Sequence, residues 1–239
     1  MVLREEMIRR GPLRVLERSL GGGLAAGEIG VVTARKGVGK TAFLVGIGLD
    51  EALRGRKVLH VTLKRSVEQV TRYYDEIFAA LARSRRLEDH AESRMAMERH
   101  RHIISYRDGD LSIGRIGESL DFLAEHAGFA PDVIILNGFP DFESGDPELP
   151  RIMLDLRELA RARRLPLWIN ALRHREGQER DERDVPVSVA RCDEAIAVIL
   201  RLEPRADHVR LRIVKDRDAA ELPDLRLELD PATLLLRWR

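Results

Sequence analysis

An apolar run at Gly30-Val31-Val32 leads through a short glycine-bearing turn into an apolar, Ala-containing stretch from Ala42 to Leu53. By periodicity this is a strand, a turn and a helix in direct succession. The turn reads Ala34-Arg35-Lys36-Gly37-Val38-Gly39-Lys40-Thr41. That pattern is a phosphate-binding loop, because its glycines leave room for backbone N–H groups to converge on phosphate oxygens. The start of the following helix adds the positive end of its dipole. Arg35, Lys36, Gly37, Val38, Gly39, Lys40, Thr41 and Ala42 are therefore the candidate nucleotide-binding residues. Lys40 would reach the terminal phosphates of ATP or ADP, and Thr41 would ligate Mg²⁺ through the nucleotide. Ala34 stands where the motif usually has its first glycine, a small change that leaves Gly39-Lys40-Thr41 intact.

Strands and helices alternate from Gly27 onward. Lys57–Leu63, His102–Tyr106, Asp132–Leu136, Leu165–Ala171 and Ala195–Leu202 read as strands, and the unbroken apolar character of 132–136 marks a strand buried on both faces. Ser66–Leu81, Ser112–His126 and Glu148–Arg163 read as helices, with Ser66 as N-cap, and the charged stretch Arg83–Arg101 also reads as helical. The tail differs: His208–Val214, Asp224–Leu229 and Leu234–Trp238 alternate apolar with polar residues, as half-exposed antiparallel strands do. These elements predict a three-layer α/β/α domain with a mostly parallel central sheet and antiparallel C-terminal strands. Residues 1–20, with Leu13, Leu16 and Leu20 at helical spacing, form an N-terminal lead-in. A single nucleotide-binding domain is expected over 21–239.

Lys and Arg number 41 against 40 Asp and Glu, a net charge of +1 in 239 residues, so there is no global pull toward nucleic acid or an anionic membrane. Cys192 is alone, which excludes an internal disulfide and suits a reducing cytoplasm. No apolar run reaches the roughly 18 residues of a membrane span, and Met1–Arg10 lacks the apolar core of a signal peptide. A cytoplasmic protein is expected.

Set end to end, these elements resemble the RecA-type ATPase core, in its KaiC and DnaB-helicase branches. Leu20-Gly21-Gly22-Gly23-Leu24-Ala25-Ala26-Gly27-Glu28 is similar to the GGGL-x-x-GE lead-in of KaiC-like proteins. Ser66-Val67-Glu68-Gln69-Val70 resembles the S-x-E-Q-L of DnaB-like helicases, and Val214-Lys215-Asp216-Arg217 the late K-x-R element of both. The resemblance implies that Lys215 and Arg217 touch the γ-phosphate held by a neighbouring subunit, hence a homo-oligomer, ring or filament. The plainer alternative is a charged strand end pairing with Asp216, Asp218 or Glu221.

Hydrolysis needs a carboxylate to orient the attacking water and a second acid for the Mg²⁺ shell. The resemblance places the first acid at Lys64 and the second at Asn137, and a γ-phosphate-sensing Gln near Ala171. A cation cannot serve as a base at neutral pH unless its pKa is driven far down. Asn137 could hydrogen-bond a metal-bound water but brings no charge. Glu68 and Asp141 are the nearest substitutes in sequence, and Lys64 could itself pair with a phosphate. No catalytic residue is assigned, and a pseudo-ATPase or slow ATPase is expected. The function expected is regulatory or scaffolding assembly on nucleotide, with an unidentified protein partner open. The alternatives are a genuine but slow ATPase of the DnaB/RecA class, with DNA association left open, and a structural protein whose loop binds nothing or only an anion.

The two loops that grip DNA in the resembled family map to 138–149 and 173–184. The first carries Asp141, Glu143, Asp146 and Glu148 with no Lys or Arg; the second sets four arginines against five carboxylates. Both weigh against nucleic acid. The Arg-rich stretch 83–101 is interleaved with acids and reads as a solvated or subunit-contacting face. His90, His100 and His102 have no Cys partners and do not suggest a metal site, His174 reads as a loop residue, and Cys192 and Trp168 read as core.

Overall fold

The computed structural model describes residues 11–63, 65–85, 90–173 and 180–238. Strand β1 (Ile29–Arg35) is buried along all but its last residue, as an apolar strand in the middle of a sheet must be. Its side chains alternate between two cores. Val32 and Ala34 join one, and Ile29 and Val31 the other. Around β1 a nine-stranded sheet runs in the order β3-β2-β4-β5-β1-β6-β7-β8-β9. The remaining strands are β2 (Val58–Leu63), β3 (Arg101–Tyr106), β4 (Val133–Asn137), β5 (Leu167–Arg173), β6 (Val198–Pro204), β7 (Val209–Asp216), β8 (Leu227–Leu229) and β9 (Leu236–Trp238). Pairing is parallel from β3 through β6 and antiparallel from β6 to β9.

One face of the sheet carries α1 (Pro12–Ser19), α2 (Lys40–Leu53), α3 (Val67–Arg85) and α4 (His90–Arg99). Their residues Leu16, Phe43, Tyr74 and Met97 share a core with Val32 and Trp168. The other face carries α5 (Ile113–Ala127) and α6 (Leu149–Arg163), whose Leu120 and Met153 pack with Val31 and Ile169. This is the expected three-layer α/β/α arrangement, with a largely parallel sheet and antiparallel C-terminal strands. The 12–19 segment is tied closely to it: Leu16 and Leu20 are buried in the α2-side core, and Arg14 pairs with Asp50 of α2. No described helix is long and apolar enough to cross a membrane.

Several boundaries differ from expectation for local reasons. The helix expected to end at Leu81 continues to Arg85, and the charged stretch is helical again over His90–Arg99, with Arg101 opening β3 instead of closing the helix. The last two strands are shorter than their alternation suggests. Arg226 and Leu234 sit at φ 46° and 59°, left-handed conformations that break an extended chain one residue before β8 and two before β9. Two motifs have a purely local explanation as well. The Ser66 hydroxyl accepts the Gln69 amide at 3.2 Å while the Gln69 side chain accepts the Ser66 amide at 3.1 Å, a reciprocal cap on α3. Gly30 pairs with Trp168 across β1 and β5, and a Cβ on it would lie 2.5 Å from the indole ring.

Candidate phosphate-binding site

Parallel strands β1, β2, β4 and β5 all end at one edge of the sheet, and the loop after β1 lies there, where open α/β sheets bind ligands. Gly37 and Gly39 adopt φ of 85° and 104°, values an L side chain rarely takes. Ala34 has no positive φ and is fully buried within β1, so the substitution of the usual first glycine places no strain on the loop. Gly39 caps α2 with no side chain donating or accepting at the helix start, and no acid occupies the first turn. The amide end of a 14-residue helix is thus left without a local anionic partner.

Lys40 folds back over this turn. Its Nζ donates to the carbonyls of Ala34 and Arg35 at 2.8 and 3.1 Å, and the side chain is only 7% exposed. Burial lowers its pKa to about 8, opposed by the nearby charge of Glu143. An arriving phosphate could take these N–H donors from the two carbonyls at little geometric cost. Arg35 and Lys36 are exposed at the loop's tip, and Thr41 is half-buried behind it. Beyond Arg35 opens a recess of about 600 Å³ lined by charges of both signs, among them Arg201, Glu203 and Arg212.

Two amides, one at the end of β4 and one within β5, meet near where the acid and the sensor were sought. Asn137 closes β4 as expected, 4% exposed, and its Nδ2 lies 3.4 Å from the Thr41 hydroxyl. Near the sensor position, Ala171 points into the opposite core, whereas its neighbour Asn170 donates to Asn137 Oδ1 at 2.6 Å. The reason is the two-residue period of a strand: Asn170 shares its side of β5 with Trp168, which packs on the α2 face. Lys64, at the other acid position, lies outside the described residues.

Both substitute acids from the sequence make contacts close by in the chain. Glu68 is exposed and held by a hydrogen bond from Ser66, which lowers its carboxyl pKa. Asp141 is exposed and accepts the Glu143 amide at 3.0 Å, closing a turn within its own loop. Glu143 is the carboxylate whose charge reaches Lys40. Phe142, 3% exposed, pins that loop into the α6-side core and so presents Glu143. Aromatic residues inside an acidic loop, Phe139 and Phe142, were the available signal.

The K-x-R pair is anchored within the chain. Lys215 Nζ donates to the carbonyl and carboxylate of Asp193 at 2.7 and 2.8 Å. Arg217 donates to both oxygens of Glu28 at 2.8 and 2.6 Å, to Gly23 O at 2.7 Å, to Leu20 O at 3.1 Å and to Asp216 at 2.6 Å. Two motifs separated by 189 positions therefore form one clasp. Nothing in either motif signals that they meet.

The remaining candidates have ordinary roles. Cys192 is buried, donates to Ser188 O at 3.4 Å, and burial raises its thiol pKa to about 11. His100 bonds Ala96 O at 2.7 Å and His102 packs on Phe129. Among the described residues no group of three or more His, Cys, Asp or Glu could hold a metal. Residues 174–179 of the second loop, His174 included, lie outside the described residues. Arg180 and Arg183, which follow, pair with Asp184, Asp181 and Asp193.

A central parallel sheet with the glycine-rich loop after β1 and three antiparallel strands at its edge defines the RecA-type ATPase-domain fold. One solved structure, described as an ATPase domain, is similar at a TM-score of 0.63 and 16% identity, covering 85% of this chain and 82% of that one. No protein-family model and no curated protein matches the sequence.

Proposed function

We propose that this chain binds ATP or ADP through Arg35–Ala42, turns it over slowly or not at all, and self-assembles with nucleotide as a bridge between subunits. Its role is then regulatory or scaffolding, in the manner of a degenerate member of the KaiC and DnaB-like branch. One observation carries the reading. Lys40, the loop glycines and the uncapped helix start are in place, while Asn137 closes β4 where an acid is expected and pairs there with Asn170 of β5. Loss of a placed general base removes about 10²–10⁴-fold in rate, whereas phosphate binding survives on the cations and amides that remain. On assembly Lys215 exchanges Asp193 for a neighbour's phosphate. Arg217 has more partners to give up, and Lys215 is the readier of the two trans cations.

A slow but genuine ATPase is the second reading, and Glu143 favours it, since a carboxylate whose field reaches Lys40 could act as a relocated base. The acidic 138–149 loop argues against a nucleic-acid partner in either case. The test records ATP affinity, phosphate release and oligomer mass for wild type and Lys40→Ala. Binding lost in Lys40→Ala, assembly that follows nucleotide, and turnover under about 0.1 per second support the proposal. Faster turnover abolished by Glu143→Gln would replace it with the second reading, and no binding at all would remove both.

A further inference from the structure

The fold class and Thr41 together call for Mg²⁺ beside the phosphates, so the residues present have to suit a hydrated divalent cation. They do not. The Gly138 amide can only donate, and it lies 2.8 Å from Asn170 Oδ1. That fixes the Asn170 side chain with its oxygen toward Gly138 and its NH₂ toward Asn137, where Nδ2 donates to Asn137 Oδ1 at 2.6 Å. Asn137 is thereby fixed in turn, and what it presents to Thr41 at 3.4 Å is its NH₂ group. Flipping either amide would set oxygen against oxygen or N–H against N–H between two side chains that are 4% and 9% exposed.

Mg²⁺ sheds its waters reluctantly, and those waters are donors that need acceptors around them, preferably charged ones. The strand end that should supply an acceptor supplies a donor. One lone pair of Thr41 is already engaged by that donor. Lys40 Nζ, the amides at the start of α2 and the Asn137 NH₂ are all donors around Thr41, a set that suits phosphate oxygens and not a hydrated cation. Glu143 is the exception in charge, and what its charge reaches here is the Lys40 ammonium.

We infer that this site takes the phosphates of a nucleotide without a divalent cation, with the Gly138–Asn170–Asn137 amide relay replacing the metal as electrophile. The inference rests on the proposed nucleotide binding and narrows it to the metal-free nucleoside di- or triphosphate.

The experiment is isothermal titration of ATP into the full chain, once with excess Mg²⁺ and once with EDTA. Wild type should show Kd values within about threefold of each other, against the roughly 10–100-fold that second-shell groups contribute at true metal sites. Asn137→Asp, which turns the donor into a charged acceptor, should bind more weakly in EDTA and recover about tenfold or more with Mg²⁺. Wild-type binding that is tenfold or more tighter with Mg²⁺ overturns the inference while leaving nucleotide binding intact. Absence of binding in both buffers overturns nucleotide binding as well. The wild-type pair of titrations decides the matter even if Asn137→Asp fails to fold.

Discussion

Raising the pH through about 8 should loosen nucleotide binding in proportion to the deprotonation of one residue, Lys40. In the free protein its pKa is lowered to about 8 because burial outweighs the attraction of Glu143. A bound polyphosphate places negative charge beside the ammonium and raises that pKa in the complex. Below the free-state pKa Lys40 is charged with and without ligand, so affinity is flat. Above it, binding must take up a proton. At pH 9 only about one free molecule in ten keeps the charge, so Kd should weaken by about tenfold, or about 1.4 kcal/mol. The stability of the free protein should slope the other way. The folded pKa lies below the ordinary value of 10.5, so the unfolded chain binds more protons between about 8 and 10.5, and Lys40 adds stability as pH rises through that window. Calorimetric titrations from about pH 7.5 to 9.5, where the terminal phosphate is already ionised, measure the first slope. Denaturant titrations without ligand measure the second. Lys40→Met should remove the stability slope, and any residual nucleotide binding it keeps at high ligand should be flat with pH. Equal slopes in wild type and Lys40→Met would refute the assignment of Lys40 as the buried phosphate-binding cation.

Glu143→Gln removes the charge that holds the Lys40 pKa up, so the pH midpoint of ATP affinity should move lower; a midpoint that stays put would separate Glu143 from the site. Gly48→Ala would bring a Cβ to 2.4 Å from the Tyr74 hydroxyl and 2.8 Å from Ile135 Cδ1, and overpacking of this kind should cost about 1–3 kcal/mol in urea denaturation. An unchanged midpoint there would show that α2 shifts freely on the sheet. Arg217→Ala opens the clasp to Glu28, Gly23 and Leu20, and should lower the melting temperature more than Lys215→Ala, which loses only Asp193. Melting temperatures in the reverse order would mean that the clasp contributes little and that Arg217 is free for other partners.

The sheet was legible because its strands are buried on both faces, and continuous apolar runs such as Val133–Leu136 leave few other readings. The loop was legible because a strand, two glycines and Lys40-Thr41 must be adjacent in sequence to work. What escaped depends on side-chain direction and long-range pairing. Ala171 and Asn170 are equally plausible until the side of β5 is known, and only the packing of Trp168 decides it. Glu143 owes its place to Phe142 finding a core contributed by other elements. The Arg217–Glu28 clasp closes over 189 positions, beyond any local pattern. The shortened β8 and β9 reflect left-handed conformations at Arg226 and Leu234, residue types that give no warning of them.

Binding without turnover is tested most directly by single-turnover assay of ATP with excess protein, reading bound nucleotide and released phosphate in the same sample. With Lys40 and the α2 start retained and the Asn137–Asn170 amide pair beside them, ATP should be recovered intact from the complex, with phosphate release below about 0.1 per second. Stoichiometric release of phosphate within seconds would contradict a degenerate site and point to a working base at Glu143 or elsewhere on the loop edge.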